Sequence, residues 1–358
     1  MIYPSVKLYS LSQLKNISKN FCTEIEKAKN GSESSLSFIE NNISKNKFNT
    51  DTHKFQVMVI GGSKFETAIV EKIDRKIKFV NYKVKNLPLM KNKNVFLTFI
   101  KNNLYKNIDL LSVNFAYALK PLLRNGILDG ILISVSKEHE FKGLINKKIG
   151  EEIEKYFEKE IKVTVANDLV CLVLSTKGDF KEDEVVGGVV GTGINFGGFS
   201  DRNHVVNLES GNFNKFKQTK SGKQIDKESI KPTEHIFEKE VSGAYLYKHF
   251  NIICNKVELK STKELSGLAE QKGESEISKI AQKLIKRSAS LIASKIAGVS
   301  MFKKNKDLVV IIEGSLFWNG WNYKNMVMKY SNRILGKNSI KFIKIENSNL
   351  KGAAKLVV

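Results

Sequence analysis

Two strand–glycine–strand units constrain this chain more than any other feature. In the first, FQVMVI (55–60) and TAIVEKI (67–73) flank the turn Gly61-Gly62-Ser63-Lys64, and a third β-rich run, KIKFVNYKV, follows. In the second, VVGGVV and INFGGF flank Gly191-Thr192-Gly193. Glycine at such a tip lets the backbone reverse, and lets its N–H groups approach a ligand with no Cβ in the way. Neither turn has the GxxxxGK[ST] spacing of a P-loop or the GxGxxG of a dinucleotide fingerprint. Taken singly, each is as well explained by a plain hairpin as by a phosphate cradle.

Around these units, helical and strand patterns alternate. Residues 1–50 read as a polar helical lead-in, with Leu8, Leu11, Leu14 and Ile17 at every third position, and 30–50 as a helix inside Ser/Asn-rich loops. VFLTFIKNNLYKNI predicts a helix, IDLLSVNFAY and GILISVS predict strands, and KIGEEIEKYFEK predicts a charged helix. IKVTVAND predicts a strand that ends in Asn167-Asp168. Beyond the second glycine unit, TEHIFEKEVSGAYLYKHFNII predicts one helix and the stretch from Ser275 to Phe302 a long one. DLVVIIEGS is a strand ending in Gly314-Ser315, and a strand and helix close the chain. This alternation predicts an α/β protein, and 358 residues suit two lobes better than one core.

Composition excludes several classes. With 41% hydrophobic and 27% charged residues the chain is too apolar for disorder. Cys22, Cys171 and Cys254 are too dispersed for a disulfide framework or a zinc site, so a reducing compartment is expected. The N-terminus has no apolar block of the signal-peptide kind, and the most apolar stretch, Val185 to Phe199, is interrupted by glycines, so a cytoplasmic protein without a membrane span is expected. The net charge of +22 is spread through every segment and interleaved with acids. It argues for a general attraction to polyanions, not for specific nucleic-acid binding.

An acid at the end of a strand, such as Asp168, has two readings. It caps a following helix, or it presents a carboxylate able to take a proton from a substrate hydroxyl.

Six strings in order bring a resemblance into view. GILISVSK (130–137) is similar to the GxLxxWTK sugar loop of the hexokinase family, and VTVANDLV carries that family's Asn-Asp. VVGTGIN (189–195) is similar to its GTGxN phosphate loop, VVNLESGNF (205–213) to its NxEWGxF, FEKEVSGAYL (237–246) to its FEKMxSGxYLG, and LKGAAKLVV (350–358) to its last GxGAA helix. From Phe55 to the C-terminus the chain thus resembles a hexokinase, the sugar-kinase branch of the actin-like ATPase (ribonuclease H-like) fold.

The resemblance implies a two-lobed α/β architecture: a helical segment 1–53 packed on the large lobe, a small lobe of 54–166 joined by the terminal helix 351–358, and a large lobe of 167–350. It implies ATP and Mg²⁺ as cofactors, a hexose as substrate, and a monomer or homodimer. Asp168 would be the general base toward the sugar 6-hydroxyl and would help hold Mg²⁺ indirectly. Lys137 would reach the transferred phosphoryl group, with Ser136 in the place of a sugar-contacting Thr. Asn167, Asn195, Glu209 and Glu238 would ring the sugar. Gly191, Thr192 and Gly193 would hold phosphates, joined by Gly61, Gly62, Ser63 and Lys64 of the first turn and by Gly314 and Ser315. Lobe closure around the sugar would exclude water.

The chain departs from the pattern on the nucleotide side. The family's DxGGTNFR reads Val59-Ile60-Gly61-Gly62-Ser63-Lys64-Phe65-Glu66, so Val59 replaces a metal-ordering Asp and Glu66 an Arg. FSFP reads Phe115-Ala116-Tyr117-Ala118, Glu313 stands for an Asp before Gly314, and DGSG reads Asn347-Ser348-Asn349-Leu350. Two functions follow from this uneven match: an ATP-dependent hexose kinase, or a catalytically weak relative that binds sugar as a sensor or partner-binding module.

Overall fold

The computed structural model describes residues 6–43, 54–73, 76–135, 139–271, 275–305, 307–336 and 340–358. In chain order they form α1 (Leu11–Lys29), β1 (Ile39–Asn42), β2 (Lys54–Ile60), β3 (Lys64–Ile73), β4 (Lys76–Asn86), α2 (Lys93–Asn103), β5 (Leu110–Phe115), β6 (Ala118–Arg124) and β7 (Ile127–Ser134). Next come α3 (Ile149–Tyr156), β8 (Lys162–Asn167), α4 (Asp168–Leu174), β9 (Val185–Val190), β10 (Ile194–Asp201) and β11 (His204–Asn207). The remainder is α5 (Lys220–Lys227), α6 (Ile236–Val241), α7 (Leu246–Ile253), α8 (Thr262–Glu270), α9 (Glu276–Lys303), β12 (Leu308–Glu313), α10 (Ser315–Asn319), α11 (Tyr323–Leu335), β13 (Ile340–Ile343) and α12 (Ser348–Ala354).

These elements make two compact units. One comprises residues 1–38, 186–196 and 208–344; the other comprises 39–185, 197–207 and 345–358.

In the first unit the strand order is β10 (its leading half), β9, β12, β13, with β12 and β13 parallel. Helix α9 is its spine. From Arg287 to Ser300 every residue of α9 is buried, because α1, α6, α8 and α11 all pack on it. Helix α1 starts in a reciprocal capping box between Ser10 and Gln13 and buries Leu14, Ile17, Phe21 and Ile25.

The second unit is built on a sheet of order β4-β3-β2-β5-β8. β2, β3 and β4 form the antiparallel meander expected from the sequence, and β5 and β8 run parallel to β2. Strand β2 is buried on both faces, and its side chains alternate between two cores. Phe55, Val57 and Val59 join Val170, Leu174, Ala353 and Ala354 of α4 and α12, whereas Met58 and Ile60 join Phe96 and Ile100 of α2 and Ile149 and Ile153 of α3. The result is a sheet covered by helices on both sides, as a largely buried strand requires.

Several expectations are corrected. A strand, β1, occupies part of the stretch expected to be a helix inside loops. Its Ile39–Asn42 pairs antiparallel with β11, Ile39 opposite Asn207, a partner more than 160 residues away that no local pattern discloses. The single helix expected over 233–253 is two, α6 and α7. The amides of Gly243 and Ala244 donate to Gly191 O (2.7 Å) and Thr192 O (3.3 Å), so the chain leaves the helical ladder there. Strand β6, antiparallel to β7, was not anticipated. Residues 39–43, expected with the N-terminal helical segment, belong instead to the second unit, and the chain divides after Val185, not before Asn167. The reason is α4, which packs closely on α12. A Cβ on Gly352 would lie 1.7 Å from Cys171 O, so the bare glycine is what lets the two helices meet and keeps 168–174 in this unit.

Candidate active site

Each unit carries a cluster of the expected residues. In the first unit the turn between β9 and β10 is closed by Gly191 N–H to Gly193 O at 3.0 Å. Its Gly191 and Thr192 carbonyls are held from behind by the Gly243 and Ala244 amides, while the Thr192 side chain is exposed. Gly314, which follows β12, lies against this turn: a Cβ on Gly191 would stand 3.1 Å from Gly314 Cα. Gly314 itself has φ +119°, and a Cβ there would meet Val190 O at 2.2 Å, so glycine alone fits. Ser315 beside it is exposed. The GTG and EGS segments, separated by more than 120 residues, thus form one surface of backbone and small hydroxyls, the chemistry that receives phosphate oxygens.

Glu238 adjoins that surface. Its Oε2 accepts the Ile194 N–H at 2.9 Å, and a Cβ on Gly193 would stand 2.9 Å from the same oxygen. Asn195 turns its Oδ1 to the amides of Phe196 (2.8 Å) and Ser210 (3.0 Å). Glu209 holds the left-handed conformation φ +43°, ψ +46°, immediately before the 3₁₀ turn Ser210–Asn212. Gly211 in that turn packs on Glu238, its virtual Cβ 3.4 Å from Glu238 Cβ. Asn195, Glu209 and Glu238 are half-buried, so two carboxylates and an amide are gathered beside the glycine surface.

In the second unit, Asn167 ends β8 and Asp168 begins α4. Asn167 is the N-cap: its Oδ1 accepts the Leu169 N–H at 3.0 Å, while its Nδ2 donates to Tyr117 O at 3.2 Å. The side chain expected to touch sugar is therefore largely engaged in positioning the strand end. Asp168 is half-buried, with Oδ1 accepting the Leu169 N–H at 2.8 Å. The Gly61–Lys64 turn closes through Gly61 N–H to Lys64 O at 3.0 Å. Its carbonyls are all engaged inward. Gly61 O accepts from the Tyr117 hydroxyl (3.1 Å), Gly62 O from His139 Nε2 (3.0 Å) and Ser63 O from the Leu87 amide (2.8 Å). His139 Nδ1 accepts the Met90 N–H at 3.0 Å, so its proton sits on Nε2. Burial raises the Tyr117 hydroxyl well above its ordinary pKa, keeping it a donor. Ser136 and Lys137 lie outside the described residues.

Sequence reasoning brought together eight of these positions in the first unit: Gly191, Thr192, Gly193, Asn195, Glu209, Glu238, Gly314 and Ser315. It missed Tyr117 and His139, which hold the first turn, and Lys295, whose amine donates to Ser210 O. The available signal for Lys295 was a lone charge inside the small, apolar run SASLIASKIAGV.

A surface of backbone groups and small hydroxyls suits the phosphates of a nucleotide, and its close packing rests on Gly314, where a Cβ would meet Val190 O at 2.2 Å. The residues present fit a metal ion poorly. Val59, at the motif's carboxylate position, is a 5% exposed core residue of β2, and among the described residues no group of three or more His, Cys, Asp or Glu is placed to bind an ion.

The hexokinase family model matches residues 185–258 and 254–358. Hexokinase-7 of rice (Oryza sativa subsp. japonica) is 30% identical over 162 residues, which span 40% of this chain and 35% of that protein. Among solved structures, a hexokinase from Schistosoma mansoni complexed with glucose superposes with TM-score 0.78 at 19% identity, covering 98% of this chain and 95% of that one. Another hexokinase crystal structure gives TM-score 0.77 at 20% identity over 98% and 96% of the two chains. A ROK hexokinase from Thermus thermophilus gives 0.59 at 16% identity over 85% and 97%. No described helix is long and apolar enough to cross a membrane.

Proposed function

Taking as premise that this chain is a hexokinase relative, in sequence over residues 185–358 and in fold over nearly its whole length, we propose that it transfers the γ-phosphoryl group of ATP to the 6-hydroxyl of a hexose. The observation that carries the reading is the convergence in the first unit of the Gly191–Gly193 and Gly314-Ser315 backbone with Glu238, Asn195 and Glu209, drawn from four distant segments.

In this reading Asp168 takes the proton of the sugar hydroxyl as its oxygen attacks the γ-phosphorus. A new P–O bond to the sugar forms while the bond to the β-phosphate oxygen breaks, releasing ADP. Phosphoryl transfer is chiefly positioning and charge stabilisation. The Gly191–Gly193 backbone, Thr192 and Ser315 hold the donor phosphates, with the Gly61–Lys64 turn assigned the same task in the second unit. Glu209, Glu238 and Asn195 accept and donate to neutral sugar hydroxyls, which gives strong discrimination against analogues lacking one. Lys137 is assigned the transferred phosphoryl group and Ser136 a sugar contact. Magnesium would accompany ATP and screen its phosphates. Asp168 is the carboxylate assigned to it indirectly.

One observation favours the second reading, a sugar-binding relative with little turnover: the buried Val59, paired across the sheet with Glu66, where the family motif has metal-ordering Asp and Arg. A coupled assay for hexose phosphate with Mg-ATP, run on the protein and on Asp168→Ala, separates the two. The kinase reading expects turnover that falls about 10²–10⁴-fold in the variant with unchanged far-UV circular dichroism. Glucose-dependent stabilisation with no turnover would select the sensor, and undiminished activity in Asp168→Ala would overturn the base assignment.

A further inference from the structure

The core of the first unit contains a lysine that the proposed reaction does not use. Lys295, on α9, is fully buried. Its Nζ lies 3.6 Å from the Phe237 ring centroid, 5.2 Å from that of Phe21 and 5.9 Å from that of Phe213. Three aromatic faces therefore box the amine, and its hydrogen goes to Ser210 O. Burial pushes the group well below the usual lysine range while the Glu238 carboxylate pulls it back up. In either protonation state the nitrogen keeps a hydrogen to donate.

The residue it holds follows a strained one. Glu209, with φ +43° and ψ +46°, has a left-handed backbone that a non-glycine residue keeps only when its surroundings over-determine it. Both backbone groups of Ser210 are tied: the N–H to Asn195 Oδ1 at 3.0 Å, the carbonyl to Lys295. Phe237, the nearest wall of the box, precedes Glu238 in the chain. Ser210 also occupies the Trp position of the NxEWGxF pattern, so a small residue stands where the lysine reaches in.

We propose that Lys295 is a positioning residue that clamps the Glu209–Ser210 turn and thereby sets Glu209, Asn195 and Glu238 for a hexose. This rests on the hexose reading above.

The test is Lys295→Met, which keeps the stem and removes the donor. Hexose KM should rise about tenfold, the scale of one buried hydrogen bond of this kind, while kcat and the KM for ATP stay within about twofold. Amide hydrogen exchange at residues 209–213 should accelerate. The melting temperature should hold or rise, because a buried amine has been replaced by an apolar group. Lys295→Gln, which retains an N–H donor on a shorter chain, should fall between the two and serves if the Met variant does not fold. Unchanged hexose KM and unchanged exchange in a folded variant would overturn the clamp. So would a parallel loss for hexose and ATP with a lower melting temperature, which marks a general structural role. If the parent protein neither binds nor phosphorylates hexose, the functional reading fails, and the exchange comparison alone still decides whether Lys295 holds the turn.

Discussion

Some buried polar side chains in the first unit are held in a single state by their neighbours. His249 is the clearest case. It lies fully buried on α7, with Nε2 donating to Lys239 O (2.8 Å) and Nδ1 accepting from the Ser221 hydroxyl (2.8 Å), so the neutral ring satisfies both partners. Burial lowers its pKa to about 4 from an ordinary 6.5. The unfolded chain therefore takes up a proton that the folded one refuses. Stability from this group is intact above pH 6.5 and is lost as pH falls from 6.5 toward 4. At 1.36 kcal/mol per pKa unit the loss is of the order of 3 kcal/mol. Melting temperatures across that window should drop steeply in the parent and less so in His249→Gln, which keeps a donor and an acceptor but cannot titrate. Equal slopes in the two would assign the acid sensitivity to other groups.

At the scale of elements, glycines divide into those that permit contact and those that only loosen a helix. Gly352 in α12 stands where a Cβ would lie 1.7 Å from Cys171 O of α4, whereas nothing lies within 4 Å of a Cβ at Gly267 in α8. Helix propensity favours alanine at both by ~1 kcal/mol. At Gly267 that preference is unopposed, so Gly267→Ala should stabilise the protein by about 0.5–1 kcal/mol. At Gly352 the forced separation of two packed helices outweighs it, and a net loss of about 2 kcal/mol is expected. Urea denaturation of both variants checks the pair. The same principle explains the break between α6 and α7. Amides that would have continued the helix serve the Gly191–Thr192 turn instead, so the motif SGAY is at once a helix end and the backing of that turn.

At the scale of the whole molecule, each compact unit gathers its own share of the expected site: the glycine surface with Glu238 and Glu209 in one, Asp168 with the Gly61–Lys64 turn in the other. A ligand that binds the folded chain alone raises its unfolding free energy by an amount fixed by concentration over Kd. Glucose at 100 times its Kd should therefore stabilise the protein by about 2.7 kcal/mol, read as an upward shift in melting temperature. A hexose analogue lacking a hydroxyl that the proposal assigns to Glu209 or Glu238 should give a much smaller shift at equal concentration. The absence of any shift with glucose, mannose or fructose would remove hexose as the ligand. The net charge of +22 adds a sequence-independent attraction for ATP that should weaken as salt is raised.

Local patterns determined much of this. Apolar, β-rich runs placed β2, β3, β5 and β8, apolar residues at every third position placed α1, helical patterns placed α3 and α9, and the glycine tips marked both turns, because each signal is written in neighbouring residues. The Asn167-Asp168 pair and the order of the six strings were likewise legible as sequence. Tertiary structure alone decided the rest. It paired Ile39–Asn42 with β11, ended α6 early, kept α4 with α12 and gave Asn167 a cap and a carbonyl to hold. It also turned an isolated lysine into the support of a strained turn. Each of these depends on which distant groups meet in space, and burial, close approach and the satisfaction of a backbone N–H are properties of that meeting, which no window along the chain contains.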